Sequence, residues 1–403
     1  MVTKPEGESR QGDFFPILGK DDVRKTEVLS KEELINRAHK VLLFYAEGAI
    51  YPLYDKVRRG EGKQVLSRNE EGRPGEELLD IDQTGENVLK AVIRETRLPA
   101  ILISENSPEP QMFFGNGDSE KLYVFADPFD NTSQYKRGLD TPPYTVVGIF
   151  DKEGNPIGAV VGDIKDRKAY MSLGNETFII DIKDRISEVE KHTRDRITFA
   201  EKHIGTNITL AEYRKRLDQF EKDFMEKQQR AEHKRTIISK SERTTLKNRN
   251  STLASFTGEK EYSEKFFKYF GKLRDDMHPK GILYGGGGAY IYGLLASGAV
   301  DAYVMFDEPM SEIIPGVPLA LATGCSVVSV NEDGSFENFK FNPDALKENH
   351  KLYSEGSIPL LVAAATPEVR DEVIKYYMEA KSEIRNRPAQ ILGGMPIPLP
   401  PTN

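Results

Sequence analysis

The hydrophobic pattern of the chain changes period several times, and each period predicts a different element. Leu34, Ala38, Val41, Leu42, Tyr45 and Ala46 recur at helical spacing. Ser30-Lys-Glu-Glu33 ahead of them has the form of a capping box, so a helix is predicted from Ser30 to about residue 54. Val88, Leu89 and Val92 mark a second helix over 82–96. At 99–104 and again at 122–126 the chain is apolar without alternation, as strands buried on both faces are. Two hairpins follow, 144–150 with 156–161 around Asp151-Lys-Glu-Gly-Asn155, and 168–172 with 176–180 around Gly174-Asn175. After residue 250 helices and strands alternate. The pattern there predicts helices over 263–273, 285–297, 315–324 and 367–385, and strands over 281–284, 300–306, 326–330 and 359–365. Residues 58–75 and 107–121 read as loops.

One long stretch does not fit this pattern. Residues 183–250 are dense in charge of both signs and poor in large apolar side chains. Thr209-Leu-Ala-Glu212 suggests a helix start, and Leu210, Tyr213, Leu217, Phe220 and Phe224 form a short heptad-like seam. A charged helical insertion is expected here, either folded back on the body or used as a binding surface. The chain then divides into an arm (1–29), an α+β half (30–182), the insertion (183–250), an α/β half (251–385) and a proline-rich tail (386–403).

Composition narrows the choices. With 403 residues, 38% hydrophobic and 30% charged, the chain has the make-up of a globular protein with a charged surface. No apolar run is long enough to span a membrane, and residues 1–13 lack the apolar core of a signal peptide. Cys325 is the only cysteine, so no intramolecular disulfide forms and a reducing, cytoplasmic setting is expected. A net charge of −8 argues against nucleic acid as the main partner. The histidines are scattered and there is no Cys-x-x-Cys, so a metal site would be built from oxygen ligands.

The stretch that draws attention is Tyr123-Val-Phe-Ala-Asp127-Pro-Phe-Asp130-Asn-Thr132-Ser133. A buried strand is expected to end at Pro128, with a carboxylate on either side of a corner and a helix start behind them. Taken alone this reads as well as an Asp-Pro turn with Asp130 capping a helix. Other acids share the placement. Glu105 closes the strand at 99–104, Glu312 precedes the helix near Pro315, and Asp82 starts a helix. Each has an ordinary local explanation as a cap or a first-turn acid. The set together, at element ends, points to divalent cations and an anion.

These residues carry a resemblance. Asp127-Pro-Phe-Asp130-Asn-Thr132 resembles the Asp-Pro-Ile/Leu-Asp-Gly-Thr/Ser motif of the fructose-1,6-bisphosphatase and inositol monophosphatase superfamily. Ile103-Ser-Glu105, Asp82-Gln-x-x-Glu86, Gly286-Gly-Gly-Ala289 with Ala296-Ser-Gly-Ala-Val-Asp301-Ala-Tyr303, and Glu312-Ile-Ile-Pro315 are similar to further motifs of that superfamily, in the same order. The resemblance covers about 30–182 and 251–385. It implies an α/β fold, a layered α-β-α-β-α sandwich, and a metal-dependent phosphomonoesterase acting on a small sugar or polyol phosphate. Fructose 1,6-bisphosphate is the first candidate, with an inositol monophosphate or a 3′-phosphonucleotide as alternatives. Glu105, Asp127 and the Phe129 carbonyl would hold one Mg²⁺, and Asp127, Asp130 and Glu312 a second. Glu105 would share a third, and Mn²⁺ would be able to replace Mg²⁺. Asn131, Thr132 and Ser133 would receive the phosphate, Asp82, Thr132 and Glu105 would orient water, and Gly286, Gly287, Gly288 and Ala289 would face the substrate. A homo-oligomer, dimer or tetramer, is expected.

The departures from the superfamily pattern are specific. Asn106 stands where a second acid is common, and Asn131 where glycine is usual. Met305 replaces an acid that contacts the polyol, and Phe306 and Glu308 occupy the region of two basic residues that serve fructose bisphosphatases. These losses keep a weakly active or regulatory relative, with the insertion as its partner surface, as an alternative from another class.

Overall fold

The computed structural model describes residues 29–68, 77–105, 107–114, 121–139, 141–183, 235–277, 281–348 and 356–386. The expected arm, Asn106, most of the expected insertion and the proline-rich tail lie outside the described residues. In chain order the elements are α1 (Lys31–Arg59), β1 (Val65–Arg68), β2 (Glu77–Leu79), α2 (Asp80–Thr96), β3 (Ala100–Ser104), β4 (Ser107–Phe113), β5 (Leu122–Asp130) and α3 (Thr132–Arg137). Then come β6 (Tyr144–Phe150), β7 (Pro156–Asp163), β8 (Lys168–Leu173), β9 (Glu176–Asp181), β10 (Arg235–Ile237), β11 (Thr252–Ala254), α4 (Lys260–Met277) and β12 (Ile282–Tyr284). The last are α5 (Ile291–Ala296), β13 (Ala302–Pro309), α6 (Met310–Ile313), α7 (Val317–Ala322), β14 (Ser326–Val330), β15 (Phe336–Asn338), α8 (Pro343–Glu348), β16 (Ser357–Ala364) and α9 (Pro367–Asn386).

Strand alternation sorts the side chains into layers. The larger sheet runs β10-β9-β8-β7-β6-β5-β3-β4, antiparallel except where β3 lies parallel to β5. On one face Val124, Val147, Ile149 and Val160 pack against Leu42, Tyr45 and Leu89 of α1 and α2. On the other face Val146, Ala159 and Val161 pack against α5 and α7. Those two helices also cover the second sheet, β12-β11-β13-β16-β14-β15, through Tyr303, Met305, Val327 and Leu361. The alternate residues Ala302, Val304, Val328 and Val362 meet Phe266, Phe270 and Val369 of α4 and α9. The order of layers is α-β-α-β-α. Both sheets are covered on both sides, which is why their strands read as unbroken apolar runs.

Several boundaries differ from the sequence expectation. The segment 107–113 is an edge strand on β3, and 65–68 pairs with 77–79, where loops were expected. Gly285 to Tyr290 stay outside α5, because Gly288 holds a φ of +117° that a helix does not allow. The helix expected over 315–324 is shorter, α7 over Val317–Ala322, and a separate short helix, α6, precedes it at Met310–Ile313.

The largest difference concerns 235–250, which was placed in the helical insertion. Arg235–Ile237 is a strand on the edge of the larger sheet, antiparallel to β9 with Arg235 opposite Ile180. Beyond it the chain is tied into the second half. Arg243 donates to both carboxylate oxygens of Asp301, at 3.0 and 3.2 Å, and Leu246 is fully buried while its amide donates to Glu372 at 2.7 Å. Isolated contacts of this kind over a polar stretch have no periodicity for a sequence reading to find. They also revise the cut that would test the insertion. β9 and β10 are antiparallel neighbours, so a short turn can join them. Replacing 184–234 with a Gly/Ser linker is expected to leave a cooperatively folded body, read by thermal unfolding. A replacement reaching residue 248 removes Arg243 and Leu246 and is expected to unfold it.

Candidate active site

β5 does not end at Pro128 as expected. It continues to Asp130, and its register against β6 slips on the way: Asp127 lies opposite Val146 and Asp130 opposite Tyr144, three residues against two. That extra residue is a β-bulge, and Pro128 within it has no N–H to lose. In a regular strand, residues three apart face opposite sides. The bulge cancels one step and brings Asp127 and Asp130 to the same side, where Glu312 of α6 joins them. Each of the three offers a carboxylate oxygen within 4.8 Å of the others.

Asn131 follows with φ 74° and ψ 29°, the left-handed conformation that glycine would adopt at no cost. Its side-chain amide donates to the Pro142 carbonyl at 3.1 Å, which fixes the turn. Asn131, not Asp130, is the residue that precedes α3. The Asp130 carboxylate instead accepts the Tyr290 amide at 3.2 Å and the amide of Asn131. The reading of Asp130 as a helix cap is thereby excluded.

Burial decides the electrostatics. Asp127 and Asp130 are buried and Glu312 partly so. Loss of hydration raises the Asp127 carboxyl well above the usual carboxylate range, and Glu105, Asp130 and Glu312 raise it further. Glu105, itself partly buried, is hydrogen-bonded to Asp127 through their side chains. Burial and then Glu312 push Asp130 in the same direction. Acids held this close repel one another unless protons or a cation lie among them. An all-oxygen donor set of this kind suits Mg²⁺ or a similar hard cation.

Beside this cluster sits a hydrogen-bonded chain. Asp82 is the third residue of α2, not its cap, and Oδ2 accepts the Leu79 amide at 2.6 Å. Its Oδ1 lies 2.9 Å from the Thr132 hydroxyl, which is also 2.7 Å from the Phe129 carbonyl. One hydroxyl proton cannot serve both. With Asp82 ionised the Thr132 hydroxyl donates to it; with Asp82 protonated, Asp82 can donate to Thr132 while Thr132 donates to Phe129. Burial pushes the Asp82 carboxyl up to about 7. The folded state therefore keeps this proton where the unfolded chain has lost it. In cation-free protein, stability should fall as pH rises from about 4 to about 7, with Asp82 contributing to the slope beside the raised Asp127 and Asp130. Asp82→Asn should flatten part of this slope, measured by urea unfolding at a series of pH values in EDTA. An unchanged slope would show that Asp82 does not hold the proton.

α2 reaches the corner because residue 85 is glycine: a Cβ there would sit 2.7 Å from the Pro128 carbonyl. From the opposite side the Gly286–Ala289 loop closes on the acids. A Cβ on Gly288 would lie 2.8 and 2.9 Å from the two Asp130 oxygens and 3.1 Å from Glu312 Oε2. Gly286 lies under Tyr284 and Tyr290, Gly287 under Phe256, and Ala289 is buried in the core. Ser133 is exposed at the start of α3.

Known structures share this architecture. The extragenic suppressor protein SuhB from Bartonella henselae matches with a TM-score of 0.50 at 13% identity, over 85% of this chain and 98% of that one. The chain has the inositol monophosphatase fold. Inositol monophosphatases from Anabaena (15% identity, 85% and 96% coverage, TM-score 0.48) and Thermotoga maritima (13%, 85% and 98%, 0.49) also match. No protein-family model and no curated protein matches by sequence. Within this fold, the described residues bring Asp82, Glu105, Asp127, Asp130, Thr132 and Glu312 to one place. Sequence reasoning had not assigned a part to buried Glu86, which salt-bridges Lys90 and accepts from Ser104 Oγ at 3.3 Å, or to Tyr303 and Glu308. Glu86 falls one helical turn after Asp82, and that spacing was the available signal.

Proposed function

We propose that the protein is a phosphomonoesterase that depends on a divalent cation and acts on a small polyol or sugar monophosphate. The observation that carries this is the cluster of Asp127, Asp130 and Glu312, desolvated and mutually repelling in the absence of a cation. Asp127, Asp130 and Glu312 would hold one Mg²⁺, and Asp127 with Glu105 and the Phe129 carbonyl a second. Bound there, Mg²⁺ would supply a Lewis acid for the phosphate oxygens and acidify a coordinated water. The chain's own part is to place the groups around them. Thr132 and Asp82 would orient a water, and the ionised form of Asp82, whose carboxyl is pushed up to about 7, would take its proton. The amides at the start of α3 would face the phosphate. Asn131 N–H is already directed at Asp130, which leaves Thr132 and Ser133 for this role.

The two positions that set fructose bisphosphatases apart favour a monophosphate. Phe306 packs in the outer core against Tyr269, Phe270 and Tyr377, and Glu308 is a buried acid. Neither can receive a second phosphate. An inositol monophosphate therefore ranks ahead of fructose 1,6-bisphosphate. A phosphate-release screen with Mg²⁺ over inositol monophosphates, sugar monophosphates, fructose 1,6-bisphosphate and a 3′-phosphonucleotide tests this. Turnover of a monophosphate, abolished by EDTA, is the expected result. Tight Mg²⁺ binding with no turnover of any substrate would instead make the protein a binding relative.

A further inference from the structure

A side chain on Gly288 would run into two of the three acids, so this glycine lies close against Asp130 and Glu312, and what fixes its place bears on theirs. Its N–H points to the Tyr303 hydroxyl at 3.4 Å, and that hydroxyl donates to Glu308 Oε1 at 2.8 Å. Glu308 is 1% exposed and Tyr303 fully buried. The carboxylate reaches this place by an irregularity in β13. Ala302, Val304 and Phe306 face α4 and α9, whereas Tyr303 and Met305 face the inner helices. On strict alternation Glu308 would follow Phe306 outward. Asp307 interrupts the alternation with φ 52°, a conformation that costs energy in a residue with a side chain. It is held there by Lys265 of α4, whose ammonium lies 2.6 Å from Asp307 Oδ2. Glu308 turns inward and meets Tyr303. The Tyr292 and Tyr303 rings pack edge to face with centroids 6.2 Å apart.

We propose that Tyr303 and Glu308 are positioning residues for the cation held by Asp130 and Glu312, acting through the Gly288 backbone. The hydrogen bond from Tyr303 to Glu308 fixes the hydroxyl to which the Gly288 N–H points, and so holds the glycine loop beside both ligands. The inference rests on the metal reading of the cluster and assigns parts that the cluster alone does not.

The test is calorimetric titration of the metal-free full chain with Mg²⁺, beside thermal unfolding in EDTA. Tyr303→Phe and Glu308→Ala are each expected to weaken binding by about tenfold, the lower end for groups that orient metal ligands. Glu308→Gln can still accept the Tyr303 hydroxyl and is expected to retain binding within about threefold, since charge is its smaller contribution. The double variant should bind no more weakly than the weaker single one, because both act on one chain of contacts. Tyr303→Phe takes a donor from buried Glu308, so its melting temperature in EDTA should fall, and the affinities are compared at a temperature where every variant is folded. Wild-type affinity in both Tyr303→Phe and Glu308→Ala would overturn the positioning role while leaving the metal site standing. A wild type that itself takes up no Mg²⁺ would overturn the metal reading and this inference together.

Discussion

Asp130→Asn should fold normally and lose more than about a hundredfold in turnover, the loss expected when one preorganised electrostatic contact is removed. Asparagine keeps an acceptor for the Tyr290 amide, so the 3.2 Å bond between the glycine loop and the end of β5 can persist. What disappears is one of three ionisable carboxyl groups whose oxygens lie within 4.8 Å of one another. Without cations that loss relieves repulsion, and the variant should melt at the same temperature as wild type or higher. With Mg²⁺ the order should reverse, because stabilisation by a ligand scales with how tightly the native state binds it. The crossing of the two melting curves is the diagnostic. A variant that loses stability in EDTA would mean that Asp130 serves the fold and not the site.

The second large effect lies far from the chemistry. Asp301 is 1% exposed and takes hydrogen bonds from Arg243 and, at 2.7 Å, from the Thr252 amide. Arg243→Ala strands that carboxylate in the interior and should cost roughly 3–5 kcal/mol, the range for breaking a buried pair from one side. Asp301→Asn should cost less, since Arg243 keeps about a third of its side chain in water and asparagine can still accept from Thr252. The double variant should lose less than the two singles added together. Urea unfolding of the three proteins measures this. A change within about 0.5 kcal/mol for Arg243→Ala would place the 238–250 segment outside the folded body, contrary to its contacts.

Arg243 also shows where sequence reading stops. The layers were legible because both sheets are covered on both sides, so runs such as Leu122 to Ala126 carry their burial in their composition. Glu105 and Asp127 were legible because each closes such a run, and Asp82 and Glu312 because each lies at the start of a helix. The bulge was not. Asp127 and Asp130 were expected to flank a corner, and only the slipped register opposite Val146 and Tyr144 shows how residues three apart share one face. Arg243 and Leu246 were missed for a related reason. They are single anchors in a polar stretch, and their partners Asp301 and Glu372 are remote in sequence. Glu308 was noticed only as a replacement for a basic residue. Its role depends on one backbone angle at Asp307, which no pattern of residue types encodes.

The central claim is that Asp127, Asp130 and Glu312 together hold a divalent cation used to hydrolyse a phosphate ester. Crystals grown without metal and soaked in Mn²⁺ test it most directly, by anomalous difference density. A peak in contact with all three carboxylates, reduced or lost in Asp130→Asn crystals, is the predicted result. A protein that hydrolyses phosphate esters with no peak there, or with its only peak elsewhere, would contradict it.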